Sequence, residues 1–145
     1  MPSDIRSRLC DALWTEVMDA DEKTLARETY MSLDMLRVMA KNGMHIGVHG
    51  KSHVWLDKED SSRQMQEIDA SLDTLHDLHG SSSFFWSIAY PYGAFNDTTL
   101  NFCEERHATF GLTTEAMDAK VTNDMRLVLP RVDVNDVLRR FYEDK

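Results

Sequence analysis

Two histidines four residues apart, His49 and His53, are the side chains whose types and spacing point most directly to chemistry. They end the apolar run GMHIGVHGKSH (residues 43–53), in which three residues are glycine. A glycine costs about 1 kcal/mol in a helix interior, so the run is predicted to be a strand that leads into a loop. Gly50 allows the bend that brings His53 back towards His49. Neutral imidazole binds zinc and several other divalent metals, and the pair is therefore a candidate metal site.

The spacing by itself leaves a second interpretation open. The chain contains six histidines, and His45 and His49 form another pair at the same spacing. A catalytic metal site usually has three protein ligands and an open position for water, whereas this motif supplies two. Histidines that only pack in a loop are therefore an equal alternative at this point.

Composition and charge restrict the partners of the chain. With 145 residues, 42% of them apolar, one folded domain is expected. The formal net charge of −9 argues against nucleic acid and anionic membrane surfaces, because both attract an excess of Lys and Arg. Cys10 and Cys103 fit free thiols in a reducing compartment, with a single disulfide as the alternative. The sequence has no signal-peptide core and no membrane span, so a cytoplasmic protein is expected.

Helices are predicted before and after the histidine motif. Periodic apolar positions indicate a helix over residues 3–20, and two shorter helices follow the capping residues Asp21 and Ser32. A long helix follows the acidic segment DKEDSS and ends at Gly80. The last helix is predicted to be capped by Asn135 or Asp136.

Apolar runs between the helices are predicted to be short buried strands, and they lie at residues 84–89, 108–114 and 127–130. Strands that alternate with helices indicate an α/β fold with a parallel sheet and outer helices. Polar or aromatic residues follow the strands or end them at 49–53, 90–93, 113–114 and 131–133. Because functional sites of parallel sheets are built at the carboxyl ends of the strands, these segments are expected to lie together.

Together these segments resemble the polysaccharide deacetylases, the NodB-homology group that forms carbohydrate esterase family 4. GMHIGVHGKSH is similar to the motif whose histidine pair holds a divalent metal. YPYG (90–93) resembles the motif whose proline and tyrosine line the substrate groove, and LPRVD (129–133) resembles the closing segment. The resemblance extends over about residues 29–136. It implies an incomplete (β/α) barrel of parallel strands with outer helices.

The resemblance also implies a reaction, the hydrolysis of N-acetyl or O-acetyl groups on a sugar in carbohydrate metabolism or surface-polysaccharide synthesis. The substrate would be an acetylated saccharide. His49 and His53 would bind a divalent metal, expected to be weakly held Zn²⁺. The metal would bind the acetyl oxygen and lower the pKa of an attacking water.

Further residue roles follow only from this resemblance. Pro91 and Tyr92 would line the groove, and the backbone N–H of Tyr92 would hold the developing oxyanion. An aromatic packed on a proline turn is the alternative for Tyr92. Arg131 would stand in for the family's arginine, with Asp133 as its partner. A salt bridge without a part in catalysis is an equal alternative for Arg131 and Asp133.

The sequence departs from the family pattern before Gly43. The family's first motif is a strand that ends in two aspartates, one a metal ligand and the other the general base, and no segment there has this form. The chain is therefore expected to be one N-terminally truncated deacetylase-like domain over residues 1–145, with a helical lead-in at 1–31, a core at 32–145 and impaired activity. The alternative is that Asp57 or Asp133 substitutes as a third ligand.

Two functions of other classes stay open beside the deacetylase. One is a non-catalytic domain that binds a saccharide or a partner protein. The other is a structural module in which a homodimer covers the open edge of the sheet, since an uncovered edge strand invites pairing with a second chain.

Overall fold

Helices form most of the regular structure in the described residues, which are 3–18, 21–80 and 83–143 of the computed structural model. The chain divides into two units, Met1–His45 and Ile46–Lys145. Within the described segments, no helix is long and apolar enough to cross a membrane. The division into a lead-in at 1–31 and a core at 32–145 stays a prediction.

The first unit contains α1 (Ser3–Val17), α2 (Glu22–Thr29) and α3 (Leu33–Lys41). The predicted caps of α2 and α3 are confirmed, because the side chains of Asp21 and Ser32 each accept a backbone amide three residues later. α1 was predicted to run to residue 20, which lies outside the described residues, and it ends at Val17.

The second unit is built on a long helix, α4 (Ser61–His79). Asp60 caps this helix by accepting the Arg63 amide, and Gly80 ends it as predicted, with a φ of 59°. One face of α4 is buried and includes two polar residues, Gln64 and Glu67. The helix therefore offers its inward side both apolar packing and hydrogen-bonding groups.

The two later helices begin at polar caps. α5 (Asp97–Glu105) starts at a capping box in which Asn96 and Thr99 exchange hydrogen bonds. α6 (Val134–Glu143) starts earlier than its predicted cap, so the prediction of Asn135 or Asp136 is wrong. Asp133 Oδ1 accepts the Asn135 amide at 2.8 Å. Because capping residue types occupy three of four consecutive positions there, the sequence pattern does not distinguish which of them caps the helix.

The sheet is parallel and short. β1 (Ser87–Ala89) pairs in parallel with β2 (Phe110–Leu112). Single parallel bridges place Val48 beside β1 and Leu129 beside β2. The predicted mixed fold with parallel strands is confirmed, but the strands are shorter than the apolar runs. Leu129 pairs through its own amide and carbonyl, which bond to Gly111 O at 2.8 Å and to the Thr113 amide at 2.9 Å.

Buried side chains from both helices and the sheet form the core of the second unit. Ile68 and Leu75 of α4 pack with Phe102 of α5, Ile88 of β1 and Tyr90. Burying an apolar side chain of this size contributes about 1.5–3 kcal/mol relative to leaving it in water. The core therefore holds the carboxyl end of β1 in place, where the YPYG segment begins.

Candidate functional site

The histidine motif leaves the sheet through a glycine turn. Val48 makes two backbone hydrogen bonds to β1. Its amide donates to Ser87 O at 2.7 Å, and its carbonyl oxygen accepts the Ala89 amide at 3.0 Å. Gly50 follows with a φ of 73°, a region that L-residues rarely adopt. A Cβ at Gly50 would lie 3.5 Å from Pro91 Cγ, so the turn packs against YPYG. The segment bends at Gly50 as the glycines indicate, but in place of the predicted strand it has a single bridge at Val48.

His49 is oriented by the backbone of β1. Its Nδ1 lies 2.6 Å from the carbonyl oxygen of Ala89. A carbonyl oxygen only accepts hydrogen bonds, so Nδ1 carries a proton, and in the neutral ring Nε2 keeps its lone pair. Metal-binding histidines in proteins are typically oriented by such a bond from the other ring nitrogen. His49 therefore has the orientation and tautomer of a ligand through Nε2.

His53 lies beside His49 in an unusual backbone conformation. The two ring centroids are 4.7 Å apart, and the rings meet edge to face at 71°. His53 has a φ of 51°, a left-handed value that costs a non-glycine residue on the order of 1–3 kcal/mol. The surrounding loop holds His53 in this conformation, and the result is a pair of neighbouring imidazoles.

An exposed aromatic pair adjoins His53. The centroid of the Tyr92 ring is 4.6 Å from that of the His53 ring. Tyr92 also stacks on Trp55, with the two ring centroids 3.7 Å apart and the ring planes at 7°. Tyr92 is 45% exposed and Trp55 is 37% exposed. Tyr92 also has a left-handed φ, of 58°, in the turn Pro91–Gly93. The YPYG turn thus places an accessible aromatic surface next to the histidines.

Tyr90, at the start of YPYG, has a structural role. Its side chain is fully buried, and its hydroxyl donates to Leu127 O at 2.8 Å. Burial raises the pKa of Tyr90 well above its ordinary value. Of the two tyrosines in the motif, Tyr92 is therefore the one that faces solvent.

Arg131 and Asp133 lie together at a neighbouring cavity. With Thr114 they line a space of about 360 Å³. Thr114 also approaches the YPYG turn, since a Cβ on Gly93 would collide with its side chain. Arg131 Nε donates to Thr113 O at 2.8 Å, whereas Asp133 caps α6. The structure places the two residues at one cavity but gives each its own bonding partner.

A sequence model of the polysaccharide deacetylase family matches residues 4–123, which is most of the chain. The chain belongs to the polysaccharide deacetylase family. The matched range includes the histidine motif and YPYG and ends before Arg131 and Asp133. Among curated proteins, no sequence matches the chain.

Solved deacetylase structures are similar to this chain in fold. A deacetylase from Streptococcus pyogenes, in complex with acetate, is 25% identical with a TM-score of 0.64, over 88% of this chain and 54% of its own. A polysaccharide deacetylase from Bacillus cereus is 23% identical with a TM-score of 0.58, over 73% and 33%. A de-N-acetylase from Aggregatibacter actinomycetemcomitans is 15% identical with a TM-score of 0.53, over 78% and 54%. This chain therefore spans about half, or less, of each of these relatives.

The segment before the histidine motif differs from the deacetylase pattern described above. Asp4 and Asp11 lie within α1, Asp34 lies within α3, and Asp21 caps α2. Over residues 3–18 and 21–45 the structure has no strand. These aspartates are therefore not arranged as the strand with paired carboxylates that opens the family's site.

The histidine pair fits part of a divalent metal site. Two adjacent imidazoles, one with its Nε2 lone pair preserved, suit zinc and related ions. Across 3–18, 21–80 and 83–143, no group of three or more His, Cys, Asp or Glu side chains could hold an ion. Asp57 and Asp133 accordingly do not complete the pair, and Asp57 Oδ2 instead lies 2.7 Å from Lys58 Nζ.

Two residues near the histidines were not singled out by the sequence patterns. Trp55 stacks on Tyr92. Its position two residues after His53 was the one feature of the sequence that could have indicated its place at the site. Glu67 is 1% exposed, and its Oε2 accepts the Ser52 amide at 2.6 Å. Its signal was an acidic residue next to Ile68 on the apolar stripe of α4, because glutamate is rarely buried without a partner.

Proposed function

We propose that this chain contributes to metal-dependent deacetylation of a polysaccharide, with His49 and His53 as the metal ligands. The observation that carries the proposal is the bond from His49 Nδ1 to Ala89 O, which leaves Nε2 available beside the ring of His53. Family membership supplies the class of reaction, the removal of an N-acetyl or O-acetyl group from a saccharide. The finer fold proposed for the chain is an incomplete (β/α) barrel formed by a single deacetylase-like domain.

The roles of the chain's own residues follow from their placement. When bound, a divalent metal supplies a Lewis acid that polarises the acetyl carbonyl and lowers the pKa of a water. The Ala89 carbonyl holds the His49 ring, and the Tyr92 N–H donates to the oxyanion that develops on the acetyl carbonyl. Tyr92 forms the wall of the groove beside His53. Pro91, which was also expected to line the groove, has a fully buried side chain and therefore supports the turn instead. Zn²⁺ is the proposed ion, and two neutral ligands hold it weakly.

Arg131 and Asp133 are proposed to act at the far end of the groove. Both line the cavity that borders YPYG through Thr114. The bond from Arg131 Nε to Thr113 O orients the guanidinium, which is the group that would bind a polar part of the substrate. Asp133 caps α6, which supports a structural contribution from this residue beside any part in substrate binding.

Acetate release tests the proposed reaction. The substrates are an acetylated chitooligosaccharide and an acetylated xylan, which separate N-acetyl from O-acetyl hydrolysis. We expect slow release, because the described part of the first unit has no strand with paired aspartates, and loss of a general base alone costs about 10²–10⁴ in rate. The release should require added Zn²⁺ and should disappear in His49→Ala, which removes a proposed metal ligand. His45→Ala, a histidine four residues earlier in the same run, is the matched control and keeps the release. Release that persists in His49→Ala, or none in the parent chain with Zn²⁺, contradicts the proposal.

A non-catalytic saccharide-binding function is the second candidate. It is favoured by the exposed stack of Trp55 on Tyr92, because aromatic faces are suited to contact with apolar faces of ligands. The lack of a third ligand in the described residues points the same way. Saccharide binding that is unaffected by a chelator, with no acetate release, would favour this function. A homodimer that covers the open sheet edge is compatible with either function.

A further inference from the structure

Glu67 is a buried carboxylate on the inner side of the loop that carries the histidines. It lies within α4 and is 1% exposed. Its Oε2 accepts the Ser52 amide at 2.6 Å, and Arg63 Nη2 lies 2.7 Å from its Oε1. Among the described residues no donor is aligned with Oε1 for a hydrogen bond, so the contact with Arg63 is ionic. A buried charge is tolerated when it is paired in this way.

The backbone of Glu67 holds the same loop. Its carbonyl oxygen accepts the Lys51 amide at 3.1 Å. A Cβ at Gly50 would lie 3.6 Å from Glu67 Oε2. Three consecutive loop residues, 50–52, therefore lie against this one residue of α4. The loop is bonded to a rigid helix immediately between His49 and His53.

The loop needs such a support because its backbone is in rarely populated conformations. Gly50 has a φ of 73° and His53 a φ of 51°. Strained backbone of this kind persists only where the surroundings over-determine it. A hydrogen bond from an amide to a carboxylate is among the stronger bonds that can do this. Glu67 makes that bond at Ser52, the residue directly before His53.

We propose that Glu67 is a positioning residue, whose carboxylate fixes the Ser52 amide and thereby holds His53 next to His49. Glu67 acts through the loop and not as a ligand. Its effect on metal affinity rests on the proposed function, whereas its effect on the loop does not. Groups that orient metal ligands typically change metal affinity about 10- to 100-fold when they are removed.

The test uses the full chain with three substitutions. Glu67→Leu removes the carboxylate, and Glu67→Gln keeps an oxygen that can accept the Ser52 amide. Gln64→Leu is the matched control, because Gln64 is 2% exposed on the same helix but bonds to Glu59 O and Thr99 Oγ1. The readouts are hydrogen exchange of the Ser52 amide without metal, normalised to the Ile68 amide, and Co²⁺ affinity by calorimetry.

We expect the normalised exchange at Ser52 to rise about tenfold or more in Glu67→Leu, to change less in Glu67→Gln, and to stay at the parent value in Gln64→Leu. Co²⁺ affinity is expected to fall about 10- to 100-fold in Glu67→Leu. If exchange at Ser52 rises no more than at Ile68, or if Gln64→Leu raises it equally, the positioning role is overturned. Unchanged Co²⁺ affinity in Glu67→Leu overturns its part in metal binding. A parent chain that binds no Co²⁺ while Ser52 still responds contradicts the proposed function and leaves the loop role supported.

Discussion

At the scale of single residues, His49 is oriented by a backbone carbonyl of the neighbouring strand β1. The spacing of His49 and His53 and the glycine between them predicted a bent loop, which the structure has. The acceptor for His49 Nδ1 is Ala89, 40 residues later. That contact exists only because Val48 pairs beside β1, and sequence periodicity does not specify which strands become neighbours. For the same reason, the sequence does not predict the hydrogen bond from the Ser52 amide to Glu67.

Two buried titratable residues predict a loss of stability at alkaline pH. Burial raises the pKa of Cys103 from 9.0 to about 11 and also raises the pKa of Tyr90. The unfolded chain releases both protons at a lower pH than the folded chain does. The free energy of unfolding therefore keeps this contribution below about pH 9 and loses it as the pH rises towards 11. Urea unfolding at several pH values measures how steeply the free energy of unfolding falls with pH.

Cys103→Ala provides the control for this pH dependence. Removing the thiol removes one of the two shifted groups, so the alkaline decrease in the free energy of unfolding becomes smaller. A free energy that rises with pH above 9, or an equal slope in the variant, contradicts the assignment.

At the scale of elements, the residues that mark helix ends predicted the structure better than the apolar runs predicted the strands. Asp21, Ser32 and Gly80 mark helix ends in the structure as they do in the sequence, because capping depends on local backbone geometry. The runs at 84–89 and 127–130 predicted longer strands than form. Their residues are apolar because they are partly buried, and burial alone does not require a ladder partner along the whole run.

The cap of α4 predicts a measurable contribution to stability. Asp60 accepts the Arg63 amide at 2.9 Å. Asp60→Ala is expected to lower the free energy of unfolding by about 0.5–2 kcal/mol, whereas Asp60→Asn keeps an acceptor and costs much less. Urea unfolding followed by circular dichroism compares the two variants. Equal losses in both would show that the charge of Asp60, and not its capping bond, is what stabilises the helix.

At the scale of the whole molecule, family membership was predictable because the order of the motifs is carried by the sequence. The histidine motif, YPYG and the segment ending at Asp133 occur in the predicted order along one parallel fold. The completeness of the site was less predictable, since it depends on which carboxylates come near the histidines in space. The described residues bring no third ligand to them, and Asp4, Asp11, Asp21 and Asp34 of the first unit lie on helices or cap them.

Calorimetric titration of the full chain with Zn²⁺ tests most directly whether His49 and His53 hold the metal. The expected result is one weakly bound ion per chain, since the pair supplies two neutral ligands. Binding should be lost in both His49→Ala and His53→Ala and kept in His45→Ala. A parent chain that binds no Zn²⁺, or histidine variants that bind it as the parent does, would contradict the assignment of this pair as the metal site.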